Sequence, residues 1–330
     1  MTTKWPEESP RRQAGDYPPA PTGGFHNGIL AIHSGALGDL ILFVRLIERL
    51  SEPVSLVTGG EKARLLVGLG VAQNCLDFDS LPMHEVFLDQ PAEHGRLHSL
   101  LRCRSHRLIS CFAHGEEHAQ ARLEEICGVN QAHFLPVRPA QGQLGHLVSI
   151  WSEMLGLPPV ASQPPAWAAP NQWLAEAAQI TARLGLPPGR YVVFHPGSGG
   201  LAKCWPADRF LEVIGKIGLG KIVILGPAEL ERWSPDLIAA FEEKAHVIKS
   251  PTLTVLTGLL ANSAAYVGND SGVSHLAAAV GARTLAIFGP SSAEHFAPLG
   301  PKVKTIAANE FADIPPAQVE STLAAMLGQK

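Results

Sequence analysis

From residue 28 onward, short apolar, β-favouring runs alternate with longer stretches in which apolar residues recur every three or four positions. The runs at 29–33, 54–58 and 108–112 read as buried strands. The stretches 39–50, 62–69 and 145–155 read as helices, the first with Leu42, Leu46, Ile47 and Leu50 on one face. Residues 157–170 then carry five prolines, which fit neither a helix interior nor a central strand. This stretch reads as an ordered, extended linker, stiffened by proline. Beyond it the alternation resumes. Helices are expected at 172–184, 207–217, 229–243, 273–280 and 316–327, and strands at 191–195, 222–225, 265–267 and 284–288. Such alternation predicts parallel sheets covered by helices on both faces. The expected architecture is α/β, with two Rossmann-like domains at 25–156 and 171–330 facing each other across a cleft. The C-terminal helix is expected to be able to pack back on the first domain.

Composition narrows the function classes. The 330 residues allow about two domains and a sizeable core without disulfide or metal staples. The formal charge is −4, which argues against a nucleic-acid partner, since phosphate backbones demand clustered cations. No apolar run approaches the roughly 18–20 residues that span a bilayer. The first 24 residues, rich in Pro, Gly and charge, read as a disordered tail and not as a secretory signal. Five scattered cysteines, never spaced as Cys-x-x-Cys, fit reduced thiols in a cytoplasmic protein without a zinc site.

In open parallel sheets ligands bind beyond the carboxyl ends of the strands. Three loops there carry chemistry. His33-Ser34-Gly35-Ala36-Leu37-Gly38-Asp39 nearly matches a dinucleotide fingerprint, but His33 replaces the first glycine and no acid closes the second strand. Gly35 and Gly38 let backbone approach a ligand closely. Asp39 then either caps the following helix or faces the cleft as a catalytic carboxylate. In the second loop, His195-Pro196-Gly197-Ser198-Gly199-Gly200 runs on to Lys203. It is either an ordinary turn or a concavity whose N–H groups cradle phosphate, with Lys203 as a point cation. The third, Gly268-Asn269-Asp270-Ser271-Gly272-Val273-Ser274-His275, opens a helix capped by Asp270 or Ser271. It is either a well-capped structural helix or an anion site, with His275 one turn in. Arg96, Arg102, Arg104 and Arg107, with His98 and His106, form a basic cluster, either a solvated face or a dock for an anionic acceptor. No metal is expected if these loops supply the positive field, and the absence of a clear Asp-x-Asp metal motif in the sequence agrees with this.

The segments SGALGDLI, HPGSGGLAKCWPADRF and VGNDSGVSHLAAAVGARTLAIFGPSSAEHF resemble the signature blocks of glycosyltransferase family 9, the ADP-heptose:lipopolysaccharide heptosyltransferases. The resemblance runs from about residue 29 to 296 and is densest in the second half. It implies a GT-B fold, with the acceptor domain first and the nucleotide-sugar domain second. It also implies inverting, metal-independent transfer without a cofactor. Carried onto this chain, Asp39 matches the family's catalytic base and Lys203 its phosphate-contacting lysine. Ser198, Gly199 and Gly200 fall in the donor diphosphate loop, and Asp270, Ser271, Gly272 and His275 in the second anion-binding block. Glu229 stands where the family places a residue touching the nucleoside. Gly38, Arg102, Arg104 and Arg107 are the acceptor-side candidates.

The expected partners are a nucleoside-diphosphate sugar, ADP-heptose among the candidates, and a glycan or lipid-linked acceptor met at the inner face of the cytoplasmic membrane. Two other readings use the same residues. A non-catalytic nucleotide-sugar binder would bind donor without turnover. A nicotinamide oxidoreductase is disfavoured by His33 and by the missing acid.

Overall fold

The computed structural model describes residues 28–89, 91–102, 105–161 and 163–328. The expected tail at 1–24 and Arg104 lie outside the described residues.

Five strands, β1 (Ile29–Ile32), β2 (Val54–Thr58), β3 (Asn74–Asp77), β4 (Arg107–Ser110) and β5 (Gln131–Phe134), form one parallel sheet in the order β3-β2-β1-β4-β5. Its helices are α1 (Leu37–Ile47), α2 (Gly60–Gly68), α3 (Arg96–Leu101), α4 (Glu117–Cys127) and α5 (Leu147–Met154). The second sheet comprises β6 (Tyr191–His195), β7 (Gly220–Leu225), β8 (His246–Lys249), β9 (Ala265–Asn269), β10 (Thr284–Phe288) and β11 (Val303–Ala307). All six run parallel, in the order β11-β10-β9-β6-β7-β8. Around it lie α6 (Asn171–Arg183), α7 (Ala207–Lys216), α8 (Pro227–Arg232), α9 (Pro235–Lys244), α10 (Leu253–Ala261), α11 (Gly272–Ala279), α12 (Ala293–Phe296) and α13 (Pro316–Leu327).

Several expectations change. The helix expected at 229–243 is two helices, broken at Trp233-Ser234-Pro235. Ser234 Oγ accepts from Leu237 N as an N-cap and Pro235 opens α9, so the Ser-Pro pair starts a new helix. The C-terminal helix α13 packs on α7 and β9, with Val319 and Leu323 buried in the second half, not on the first.

Instead of one apolar face, α1 is buried from Leu40 to Ile47. It lies between the first sheet and α11 of the second half, so every side meets protein. One apolar core thus runs continuously through both halves. Arg45, buried in this seam, is matched by Glu48 at 3.2 Å, by the Ala279 carbonyl at the end of α11, and by the Trp167 ring at 4.4 Å. A cation at a helix C-terminus opposes the negative end of the helix dipole. The proline-rich stretch is extended and tied down: Trp167 donates its backbone N–H to Ala279 and its indole N–H to Glu48.

Candidate active site

A cavity of about 280 Å³ opens between the two halves. Its lining follows the carboxyl ends of strands: Ala36, Gly38 and Asp39 after β1, Arg138 after β5, Ser198–Gly200 and Lys203 after β6, Asp270–Gly272 and His275 after β9, and Phe296 after β10. The two halves meet here because two glycines permit it. A Cβ on Gly38 would stand 2.9 Å from His275 Cδ2, and one on Gly272 would stand 2.9 Å from Leu37 Cβ. Both α1 and α11 therefore bring their N-termini, with unpaired N–H groups and a partial positive charge, to one cavity.

Asp39 does not cap its helix. The N-cap is Ala36, which makes no side-chain cap bond, and Asp39 lies in the first turn. Its Oδ1 instead faces Arg138 Nη1 at 3.4 Å, with side-chain exposures of 25% and 59%. The loop beneath it is held by side chains. Gly35 N donates to His33 Nδ1 at 3.2 Å, and Lys62 Nζ donates to the Gly35 carbonyl at 2.6 Å. Accepting through Nδ1 requires a neutral His33, and burial, with Lys62 nearby, pushes its pKa down to about 4.

On the opposite wall, Asn269 stitches two loops together. Its Nδ2 donates to the Pro196 carbonyl at 2.8 Å and its Oδ1 accepts from Trp205 N at 2.9 Å. Ser198 Oγ donates to the Asp270 carbonyl at 2.7 Å. Ser271 is the N-cap of α11, its side chain accepting from Ser274 N. Lys203 Nζ meets Asp270 Oδ2 at 2.6 Å, with the carboxylate 7% and the ammonium 38% exposed. Lys203 is thus a fixed cation, with two further N–H donors. Burial pushes His275 down to about 4, so it is neutral at pH 7; its Nδ1 has no partner among the described residues. A Cβ on Gly199 or Gly200 would meet nothing within 4 Å, so these glycines leave backbone open to the cavity and are not required by packing.

Glu229 does not line the cavity. It is 5% exposed, and its Oε2 accepts from Gly226 N at 2.8 Å at the start of α8. A Cβ on Gly197 would fall 2.0 Å from Glu229 Oε1, so the carboxylate shapes the Gly197–Gly200 loop from beneath. Nor do Arg96, Arg102 and Arg107 of the arginine cluster line the cavity. Arg107 opens β4 at the opposite end of the sheet and pairs with Glu52 at 3.7 Å. Arg102 faces His98 at 2.7 Å. Their place at the amino ends of the strands removes both as acceptor contacts at this cavity. Asp77-Phe78-Asp79 is an Asp-x-Asp triplet, but Asp77 accepts from Asp79 N as a cap. Among the described residues no group of three His, Cys, Asp or Glu side chains is placed to hold a metal.

Sequence reasoning missed Arg138, Phe296 and Asn269. Asn269, between Gly268 and Asp270 in the third loop, and Phe296, at the end of the third signature block, each stood in a segment already singled out, whereas Arg138 had no signal.

The sequence profile of glycosyltransferase family 9 (heptosyltransferase) matches residues 116–324. Lipooligosaccharide heptosyltransferase 2 of Haemophilus influenzae is 32% identical over 158 residues, 46% of this chain and 44% of that protein. The match thus spans under half of that relative. Among solved structures, a family 9 glycosyl transferase from Veillonella parvula superposes with a TM-score of 0.72 at 18% identity, covering 93% of this chain and 99% of that one. The E. coli ADP-heptose lps heptosyltransferase II gives 0.69 at 19% identity, covering 91% and 98%. These neighbours share the GT-B arrangement of two parallel-sheet halves about a cleft. The profile covers well over half of the chain, which therefore belongs to glycosyltransferase family 9.

Proposed function

We propose that the chain transfers a sugar from a nucleoside-diphosphate sugar to an acceptor hydroxyl, with inversion and without a metal. The supporting observation is that Asp39 and the phosphate-type cradle line one cavity from opposite halves. In this reading the first half takes the acceptor and the second the donor. Asp39 receives the proton of the acceptor hydroxyl. The acceptor oxygen bonds to the anomeric carbon on the face away from the leaving group, and the anomeric C–O bond to phosphate breaks. The departing diphosphate carries the electron pair into the field of Lys203, the Ser198–Gly200 backbone and the α11 N-terminus. These groups supply the positive potential a metal would otherwise provide.

The names of the relatives, a lipooligosaccharide heptosyltransferase and an ADP-heptose lps heptosyltransferase, favour ADP-heptose as donor and a lipopolysaccharide core as acceptor. Such an acceptor places the reaction at the inner face of the cytoplasmic membrane. No helix among the described residues is long and apolar enough to cross a membrane, which fits peripheral contact.

A melting screen across nucleoside diphosphates, followed by an ADP-release assay with ADP-heptose and a heptose-deficient core acceptor, tests this. A ligand at a hundredfold its Kd stabilises by about 2.7 kcal/mol. ADP should raise the melting temperature most, and ADP should appear only with acceptor present. No stabilisation by any nucleoside diphosphate would refute donor binding, and stabilisation without turnover would favour a binding protein.

A further inference from the structure

We propose that Lys62 is a positioning residue for Asp39: it holds the loop that sets the carboxylate and braces that loop on the second half of the chain. The inference rests on the glycosyl-transfer reading above and adds to it a residue that stands outside the cavity.

Asp39 is the third residue of α1, so the entry of that helix decides where its carboxylate points. The entry lacks a side-chain cap, since Ala36 stands at the N-cap. The residue before it is Gly35, the type with the greatest backbone freedom. A larger residue does not fit, because the His33 ring folds over this position: a Cβ would stand 2.7 Å from His33 Cε1. The freedom of the glycine is removed from outside the helix. Gly35 N donates to His33 Nδ1 at 3.2 Å, and Lys62 Nζ donates to the Gly35 carbonyl at 2.6 Å. Side chains thus hold both polar backbone groups of one residue.

Packing alone would not put a lysine here. Lys62 is the third residue of α2, where a cation opposes the positive end of the helix dipole. It is half-buried, and desolvation holds its pKa below the usual lysine value, with Asp79 acting in the opposite sense. A Cβ on Gly59 would stand 3.1 Å from Lys62 Cε, so a glycine clears the path of its stem. An uncharged side chain would avoid both costs, and what the lysine supplies in return is the bond to Gly35. Neither Lys62 nor His33 lines the cavity, so Lys62 reaches the reaction through the loop. The helix that carries it is itself braced. At its start Glu61 Oε1 accepts from Leu253 N, the first residue of α10, at 2.9 Å. At its end a Cβ on Gly68 would stand 2.3 Å from Trp173 Cζ2 of α6. Both contacts cross to the second half, so α2 is a strut between that half and the Asp39 loop.

The test uses the full chain with Lys62→Met, Lys62→Arg, Asp39→Asn and the double variant Lys62→Met/Asp39→Asn. Amide hydrogen exchange is read first and needs no substrate. In the wild type Gly35 N is bonded to His33 and Leu40 N to the Ala36 carbonyl. Lys62→Met should quicken exchange at these two amides by about tenfold or more and leave α11 unchanged, the mark of a local opening. Turnover with ADP-heptose and a heptose-deficient core acceptor is read second. Lys62→Met should lower kcat by roughly 10–10²-fold, the cost of a misplaced reacting group, with the donor KM within about twofold. Lys62→Arg keeps a charged donor and should retain kcat within about threefold. In the Asp39→Asn background Lys62→Met should cost at most about twofold more, since a residue acting through Asp39 adds nothing once the carboxylate is gone. A merely structural Lys62 would slow both backgrounds equally. Absence of transfer by the wild-type chain would count against the reaction reading, and exchange at Gly35 and Leu40 would still decide the claim about the loop. The proposal is overturned if those amides keep the wild-type rate in Lys62→Met, if kcat stays within about twofold of the wild type, if Lys62→Arg is as slow as Lys62→Met, or if the loss is as large in the Asp39→Asn background.

Discussion

The two walls of the cavity each present a carboxylate beside a cation, and the two pairs are built differently. Asp270 and Lys203 meet at 2.6 Å with the carboxylate almost fully buried. Asp39 and Arg138 meet at 3.4 Å with both partners reaching solvent. The first pair sits in a network in which Asn269, Ser198 and Ser271 satisfy neighbouring backbone groups. The second has no such frame at its side chains, although the backbone beneath Asp39 is pinned by His33 and Lys62. A buried, fully bonded pair is costly to rearrange, whereas an exposed one exchanges partners cheaply. The wall proposed to hold the donor is therefore the preorganised one, and the other wall keeps a carboxylate that can change partners at low cost.

Lys203→Ala strikes the rigid wall hardest. It removes the cation that the proposed reaction sets beside the leaving diphosphate, and it leaves Asp270 without its ion-pair partner. Turnover with ADP-heptose should fall by roughly 10²–10³-fold, the worth of one transition-state donor, with weaker ADP binding alongside. A change within about twofold in both, far below that scale, would remove Lys203 from the donor site.

Acid should expose both walls. The folded pKa values of His33 and His275 are pushed down from the usual 6.5 to about 4 by burial. Below pH 6.5 the unfolded chain binds protons that the native histidines refuse, so stability falls as pH drops towards 4. Each histidine should account for about 2–3 kcal/mol across that window. Urea melts of His275→Gln and His33→Gln at pH 7 and 4.5 test the sign. Each variant should lose less stability on acidification than the wild type, and an unchanged loss would contradict the burial argument.

The contrast in framing also predicts unequal costs for the same substitution. Asp270→Asn should lose about 1.5–3 kcal/mol, the worth of hydrogen bonds to a charged group, while Asp39→Asn should lose less than about 1 kcal/mol. Equal losses in urea melts would erase the distinction between the walls. Gly38→Ala and Gly199→Ala probe the seam in the same way. A methyl at Gly38 must displace the buried His275 ring, costing about 1–3 kcal/mol, whereas Gly199→Ala opens onto the cavity and should stay within about 0.5 kcal/mol.

The sequence carried one wall more fully than the other. Glycines, Ser198, Lys203 and the Asp270–His275 block are contiguous, because a phosphate cradle is made of local backbone and a helix start. Their spacing is visible without a fold. Asp39 was visible too, but not its partner: Arg138 arrives from a loop 99 residues away and Phe296 from the other half. For Glu229, sequence shows a place beside a glycine turn and not which side of that turn its carboxylate occupies. The strands β3, β5, β8 and β11 escaped notice because Asn74–Asp77, Gln131–Phe134, His246–Lys249 and Val303–Ala307 are edge strands with exposed or half-buried positions. Central strands such as Tyr191–His195, buried at every position, read plainly as apolar runs. The break at Ser234-Pro235 was legible as a cap followed by a first-turn proline, and an apolar pattern continuing on both sides obscured it.

The most direct test of the division between the walls is the turnover of Asp39→Asn with ADP-heptose and a heptose-deficient core acceptor, read beside its ADP affinity. Asn keeps the shape of Asp and cannot take up a proton. Transfer should fall by roughly 10²–10⁴-fold, the usual worth of a general base. ADP affinity should stay unchanged, because the donor wall is intact. An Asn variant that transfers sugar at the wild-type rate, or one that loses ADP binding along with transfer, would contradict the account.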